Sequence, residues 1–218
     1  MIPRGTISLV FDDGYTEVFN YVVPLLEKYN MHGVFAVPIE SSQLEEQTKM
    51  SLTPYQQWLK ITQKGHEIAG HSISHKNLTT LSKEELDHEC KLPAETLSAS
   101  TLVYPGGARN EAVIKTAAQY YKAGRTVVKG FETIPPKDPM QLHSYDFTAK
   151  NYSTIKANML ALWAYATNNW LIETYHLIET PPLSITHSVS QEKFEAHLRF
   201  LSRLPVAVKT IQEVTSSL

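Results

Sequence analysis

Four residues in this chain could do chemistry together. Asp12 and Asp13 stand side by side where the apolar run Ile7-Ser-Leu-Val-Phe11 stops, with Gly14 behind them to let the chain turn. His71 and His75 stand four apart in His-Ser-Ile-Ser-His, again just after a short apolar stretch. A strand over Ile7, Leu9, Val10 and Phe11 reads as buried on both faces, as central parallel strands are. The carboxyl ends of such strands are where α/β folds gather their chemistry. Two adjacent carboxylates repel each other and resist desolvation, so a positive partner is expected beside them. Two histidines at this spacing can share one metal ion. Either aspartate with His71 and His75 would supply three nitrogen and oxygen ligands and leave positions open, the layout of a catalytic zinc site. The cation would also answer the charge of the acid pair. Taken singly, each pair reads equally well as a strand-ending turn or an ordinary polar loop. Their shared position at strand ends favours the metal reading.

The elements that must hold these residues alternate. Strands are predicted over 7–11, 34–38, 66–71, 101–104, 123–128, near 140–143, over 170–176 and over 206–208. Between them the spacing predicts a helix from Pro24 to the Met31-His-Gly33 stop. A second covers 53–64, with Thr53 as N-cap and Gln56 completing a capping box. A third covers 82–97, behind the capping box Ser82-Lys-Glu-Glu85. Further helices are predicted over 110–121, over 153–167, over 190–204 capped by Ser190, and from Thr210 onward. Residues 40–49 and the Pro-rich 134–139 read as loops. One strand-helix unit in roughly thirty residues argues for parallel βαβ units in a single α/β domain over residues 1–218.

The 218 residues carry a net charge of −2, without the basic stripe of a nucleic-acid binder. No apolar run is long enough to span a membrane. The opening Met-Ile-Pro-Arg-Gly-Thr lacks the basic-then-apolar pattern of a signal peptide, which points to a cytoplasmic protein; a chain trimmed of its leader would read the same. The one cysteine, Cys90, allows no internal disulfide, and among Leu86, Glu89 and Leu92 it reads as a packed helix thiol. Nothing in the sequence sets an oligomeric state.

Val10-Phe-Asp-Asp-Gly14 and His71-Ser-Ile-Ser-His75 resemble the first two motifs of the polysaccharide deacetylases related to NodB, carbohydrate esterase family 4. Tyr104-Pro-Gly-Gly107 is similar to their third motif, which lines the active-site groove, and Tyr175-His176 to the last, which carries a histidine. The resemblance runs from the first strand to His176. It implies a distorted (β/α) barrel of about seven strands. It also implies metal-dependent removal of N-acetyl groups from an amino-sugar oligo- or polysaccharide of the N-acetylglucosamine type, giving acetate and a glucosamine residue. By the same resemblance Asp12 is the general base, and Asp13, His71 and His75 hold a divalent metal, zinc ahead of cobalt, nickel or manganese. Tyr104, Pro105 and Gly106 lie on the substrate, with the Gly106 N–H at the oxyanion, and His176 protonates the departing amine. The division of roles between the two aspartates comes from the resemblance alone.

The sequence also departs from that family's pattern. Val103 stands where the third motif usually begins with an arginine. Arg125, in Ala-Gly-Arg-Thr at the end of the fifth strand, is the candidate to steady Asp12 in its place, with a surface strand-end arginine as the other reading. The tyrosine expected near Gly106 is missing, and Thr174 replaces a leucine of the acetyl pocket. These departures leave the catalysis intact and open the substrate. One rival is an amidase acting on a small non-glycan amide, favoured by the missing groove residues. The other is a catalytically silent sugar-binding homologue, which would have no need of Asp12, Asp13, His71, His75 and His176 together. Asp146 could orient His176 or simply be solvated. Trp163, beside Leu160 and Leu162, reads as core and Trp170 as structural, while His66 begins its strand at the end away from the metal residues. His187 and His197 receive no role.

Overall fold

The first strand, β1 (Thr6–Phe11), is buried along its whole length, as its unbroken apolar run requires. The computed structural model describes residues 4–216; Met1–Pro3, part of the stretch read for a leader, lie outside the described residues. On one side of β1 run β2 (Val34–Val37), β3 (Glu67–Gly70), β4 (Thr101–Val103) and β5 (Ala123–Arg125). On the other run β6 (Tyr145–Asp146) and β7 (Trp170–Tyr175). All pair in parallel, in the order β5-β4-β3-β2-β1-β7-β6. Leu142 bridges to Arg125 at one edge while Tyr145 and Asp146 pair with β7 at the other. The segment 142–146 therefore meets both edges, and the sheet curls into the expected distorted barrel. A two-stranded parallel ribbon, β8 (Leu177–Glu179) with β9 (Ser188–Ser190), stands apart, and β10 (Ala207–Val208) pairs with the amino end of β1.

The helices are α1 (Val23–Lys28), α2 (Ser42–Thr48), α3 (Tyr55–Trp58), α4 (Lys83–Leu97), α5 (Glu111–Ala117), α6 (Thr154–Thr167), α7 (Gln191–Leu201) and α8 (Ile211–Thr215). None of the described helices is long and apolar enough to cross a membrane. Alternate strand residues form two apolar layers. Val10, Ala36, Ala69, Val103 and Ala123 fill the barrel together with Leu142, Trp170 and Ile172, and Ile211 and Val214 of α8 join them. Phe11, Phe35, Leu102 and Tyr175 are among those that pack against the helices outside. The capping boxes at Ser82/Glu85 and Thr210/Glu213 start α4 and α8, each worth about 1 kcal/mol.

Several expected boundaries shift for identifiable reasons. Residues 42–48 of the expected loop form α2, stopped by Lys49 in the left-handed region. Thr53 does not cap α3: that helix is only four residues long, and the Thr53 hydroxyl bonds the Thr16 hydroxyl at 3.2 Å instead. Pro24 stands in the first turn of α1, as expected, but the chain is already coiled there, because the π turn Val18–Val22 leads directly into α1. A wider turn of this kind accommodates a residue without an N–H. The strand expected near 140–143 is a short 3₁₀ turn, Pro139–Gln141, and pairing moves to Tyr145–Asp146. The ribbon β8–β9 was not expected. Trp163 is not core: it is 58% exposed. The buried face of α6 is Ala157, Ala161 and Ala164, and a Cβ on Gly5 would lie 2.5 Å from the Ala164 carbonyl oxygen. That close approach admits only small residues, so Ile155, Met159 and Trp163 are left outside. Cys90 is a buried helix thiol, pushed up to about 12 by burial.

His66, just before β3, lies away from the mouth of the barrel. It is 4% exposed, and its Nδ1 accepts the Gly33 N–H at 3.0 Å. Burial, helped by the charge of His32, pulls its pKa down to about 4. Between pH 6.5 and 4 the unfolded chain therefore binds a proton that the folded chain refuses, and stability falls as the pH drops through that window. We expect about 2 kcal/mol of this loss between pH 7 and 5 to belong to His66. His66→Asn keeps an acceptor for Gly33 and cannot titrate. Urea unfolding at the two pH values should show the variant spared that share, and equal losses in both proteins would refute a neutral buried His66.

Candidate active site

The main chain at the end of β1 parts the two aspartates. The Asp12 N–H donates to the Tyr175 carbonyl at 2.9 Å, prolonging the β1–β7 pairing by one residue. Asp13 then turns to φ +74° and Gly14 to φ +77°. A residue with a Cβ in the left-handed region costs on the order of 1 kcal/mol, and here it sends adjacent carboxylates to different partners. Ser72 and His75 share this conformation, at φ +61° and +58°.

Asp12 faces a cation fixed by protein. Its Oδ2 accepts from Arg125 Nη2 at 2.5 Å, with Arg125 only 1% exposed, so this is no surface arginine. His176 Nε2 lies 3.7 Å from the same oxygen. The other oxygen, Oδ1, is buried without a hydrogen-bond partner, as are Nε and Nη1 of Arg125. The Nδ1 of His176 is 3.5 Å from Asp146 Oδ1.

Asp13 faces the two histidines that follow β3. Its Oδ1 is 3.4 Å from His71 Nε2 and 3.5 Å from His75 Nε2. The His71 Nδ1 lies 2.8 Å from the Val103 carbonyl, which can only accept, so that nitrogen carries a proton and Nε2 is the one that can offer a lone pair to an ion. Burial first, then the charge of His71, pulls His75 down to about 4, leaving it a neutral imidazole at pH 7. Burial alone would raise the Asp13 carboxyl, but His71, His176 and His75 outweigh it and hold it well below the usual carboxylate range. Two imidazole lone pairs and one carboxylate oxygen, all within 4.8 Å of one another, are a donor set that fits a divalent ion.

These groups open into a cleft of about 870 Å³. Tyr104 lines it, but its hydroxyl is spent on the Met140 carbonyl at 3.0 Å. Gly106 lines it at φ +59°, where a side chain would meet nothing within 4 Å. Pro105 is buried in the turn and does not line it. His187 does, with its ring 4.8 Å from that of His176.

The polysaccharide deacetylase family profile matches residues 2–124. The chain belongs to the polysaccharide deacetylase family. YxkH of Bacillus subtilis, named as a member of this family, is 28% identical over 132 residues, which are 57% of this chain and 45% of that protein; the match spans less than half of the relative. Among solved structures, a Mycobacterium smegmatis protein described as a polysaccharide deacetylase superposes with a TM-score of 0.69 at 13% identity, over 100% of this chain and 91% of that one. The Xyl-CE4 domain of a xylanase from the hindgut metagenome of Trinervitermes trinervoides superposes with 0.65 at 17% identity, over 98% and 91%. At such identities the likeness is one of fold. The deacetylase match contains Asp12, Asp13, His71, His75 and Tyr104-Pro-Gly106, whereas Arg125, Asp146 and His176 lie beyond it and are brought to the cleft by the fold.

One supporting residue of this candidate site escaped the sequence reading. Glu89 of α4 is 6% exposed, and its carboxylate accepts from the Ile73 N–H at 2.7 Å, the Ser74 hydroxyl at 3.2 Å and the Ser74 N–H at 3.4 Å. It thus ties down the loop that carries both histidines. The signal was an acid on the apolar side of an otherwise well-patterned helix, beside Cys90. Supports of this kind commonly tune metal affinity by about 10–100-fold. With zinc as the ion tested at this cluster, Glu89→Ala should weaken binding by that factor, whereas Glu89→Gln, which can still accept, should lose less. Competition with a coloured chelator measures both, and undiminished affinity in the alanine variant would rule the support out.

Proposed function

We propose that this chain is a metal-dependent hydrolase that removes N-acetyl groups from an amino-sugar oligo- or polysaccharide of the N-acetylglucosamine type. One observation carries the reading. Asp12 has one oxygen clamped by Arg125 and the other, Oδ1, buried and without a partner, while the adjacent residue belongs to a three-ligand cluster. A carboxylate oriented in that way, with a lone pair unspent, is suited to general-base work.

Asp13, His71 and His75 would hold the ion, and zinc best suits two imidazoles with one carboxylate. When bound, such an ion supplies Lewis-acid polarisation of the acetyl carbonyl and lowers the pKa of water. Asp12 takes the proton of the attacking water on Oδ1, while Arg125 on Oδ2 keeps the carboxylate from rotating away. The turn at Gly106 lets the acetamide approach main-chain N–H groups, which favour charge developing on its oxygen. His176 faces the same point through Nε2 and delivers a proton to the departing amine, a task suited to an imidazole. Tyr104 forms wall rather than proton donor, since its hydroxyl is already engaged.

A small amide is the second reading. Leu44, Val127 and Ile185 give the cleft an apolar rim, and no tryptophan is among its lining residues. Ser184 Oγ also approaches Met50 Sδ to 4.0 Å, drawing two walls together.

Acetate release from N-acetylglucosamine oligomers, by protein stripped of metal and then reloaded with zinc or cobalt, tests the proposal. Release should require metal, and Asp12→Asn should lower it by about 10²–10⁴-fold with the metal still bound. Turnover of small amides but not of oligomers would select the second reading. A fully loaded protein that hydrolyses neither would defeat both.

A further inference from the structure

The cleft holds a second group of ligand-type side chains beside the first. We propose that Asp146, His176 and His187 form a second, weaker site for a zinc-class divalent cation, and that filling it removes His176 from proton transfer. The ligand atoms that these residues offer all lie within 4.8 Å of one another. Asp146 Oδ1 and His176 Nδ1 are 3.5 Å apart, and both atoms are buried with no hydrogen-bond partner. That gap is too long for a good hydrogen bond. It matches the separation of two donors on one tetrahedral ion, which bonds of about 2.0–2.1 Å set at roughly 3.3–3.4 Å. At the first cluster, Asp13 Oδ1 stands 3.4 and 3.5 Å from its two imidazole nitrogens. The one carboxylate–imidazole pair of the second group thus has the spacing of the two in the first.

Main-chain bonds hold the three residues in place. Asp146 pairs with Thr174 in the β6–β7 register, and its carbonyl accepts from Asn151 Nδ2 at 3.0 Å. His176 follows β7 directly. The His187 carbonyl accepts the Leu177 N–H at 3.1 Å, which fixes its backbone beside the residue after His176. The two rings stand 4.8 Å apart at 65°, so a third ligand needs only a side-chain adjustment. His187 is exposed, and ordering it on an ion costs rotamer freedom and competes with water, hence the weaker affinity.

An ion on Nδ1 takes the lone pair that would otherwise carry a proton. The ring is left with Nε2–H alone, a far weaker acid than an imidazolium. This inhibitory consequence rests on His176 as the acid of the proposed reaction; the site itself does not.

The test is titration of metal-stripped, untagged protein with Co²⁺, read by visible absorption and by equilibrium dialysis. Two equivalents should bind, the second at least tenfold more weakly. His187→Ala should bind one equivalent tightly, and His71→Ala should keep only the weak one. Acetate release should rise with the first equivalent and fall with the second, and His187→Ala should lack the fall. One equivalent in the wild-type protein, or two in His187→Ala, overturns the site. Undiminished turnover with two ions bound overturns the inhibition. Absence of turnover at every loading counts against the proposed reaction, and the stoichiometry then decides the site on its own.

Discussion

Two neighbouring carboxylates at the end of one strand dictate the arrangement of the site. Asp12 and Asp13 are 4% and 6% exposed. Two carboxylates held close in a partly buried setting repel each other, before either is desolvated. The chain relieves this by reversing φ at Asp13 and giving each acid its own counterpart. Arg125 comes from β5, the imidazoles from the loop after β3, and His176 from the end of β7. No flat sheet could bring β5, at the edge of its order with β4, β3 and β2 between it and β1, to an aspartate at the end of β1. The curl of the sheet and the charge of the acid pair are thus one requirement seen at two scales.

The curl in turn depends on side-chain size. Alanine and valine from β1 to β5 line one side of the barrel interior, opposite Leu142, Trp170 and Ile172, and the fully buried Arg125 guanidinium lies above them. At Gly124 an added Cβ would lie 2.7 Å from the Met140 carbonyl, so the segment that closes the barrel needs a glycine beside Arg125. Outside the barrel the packing is large and aromatic. Phe11 stacks on Phe35 at 5.2 Å and on Tyr175 at 5.6 Å, across the strands that carry Asp12 and His176. Contacts of this type contribute about 0.5–1.5 kcal/mol each beyond burial and keep the strands in register. Behind them Glu173, wholly buried, accepts from the Tyr175 hydroxyl at 2.8 Å and meets His197 Nε2 at 3.0 Å.

What could be read from the sequence was what depends on local pattern. The double-sided burial of β1, the capped start of α4 and the strand-end positions of Asp12, His71 and His176 all follow from a few adjacent residues. What could not be read depends on distant neighbours. Trp163 lies outside because Gly5, far away in the chain, lets the α6 backbone come too close for a large residue. Glu89 is a support rather than a solvated helix acid because the turn at Ser72 brings two main-chain N–H groups over it. Arg125 had two readings in the sequence, and only the closing of the sheet distinguishes a strand-end surface arginine from one laid on Asp12. His187 carried no local signal at all. It reaches the cleft through the β8–β9 ribbon, whose parallel pairing joins short segments with no strong alternation.

That ribbon also separates the chemistry of the cleft from its shape. The groups at the centre sit on β1, β5, β7 and the loop after β3, where a shift of one residue would turn side chains to the wrong face. The walls come from elements that carry no such constraint: α2 supplies Leu44, Gln47 and Thr48, and the segment between β8 and β9 supplies Ser184, Ile185 and Thr186. Glu179 ties this segment through the Ser184 N–H at 2.6 Å and the Ser184 hydroxyl at 2.8 Å, a bond set that does not involve the barrel. Substitutions in these walls can therefore reshape the cleft while the paired acids and their counterparts stay in place. The same reasoning explains why the departures at Val103 and Thr174 are tolerable. Both residues are fully buried in the barrel, one beneath the His71 tautomer bond and one beneath His176, so they alter the floor and leave the ligand geometry intact.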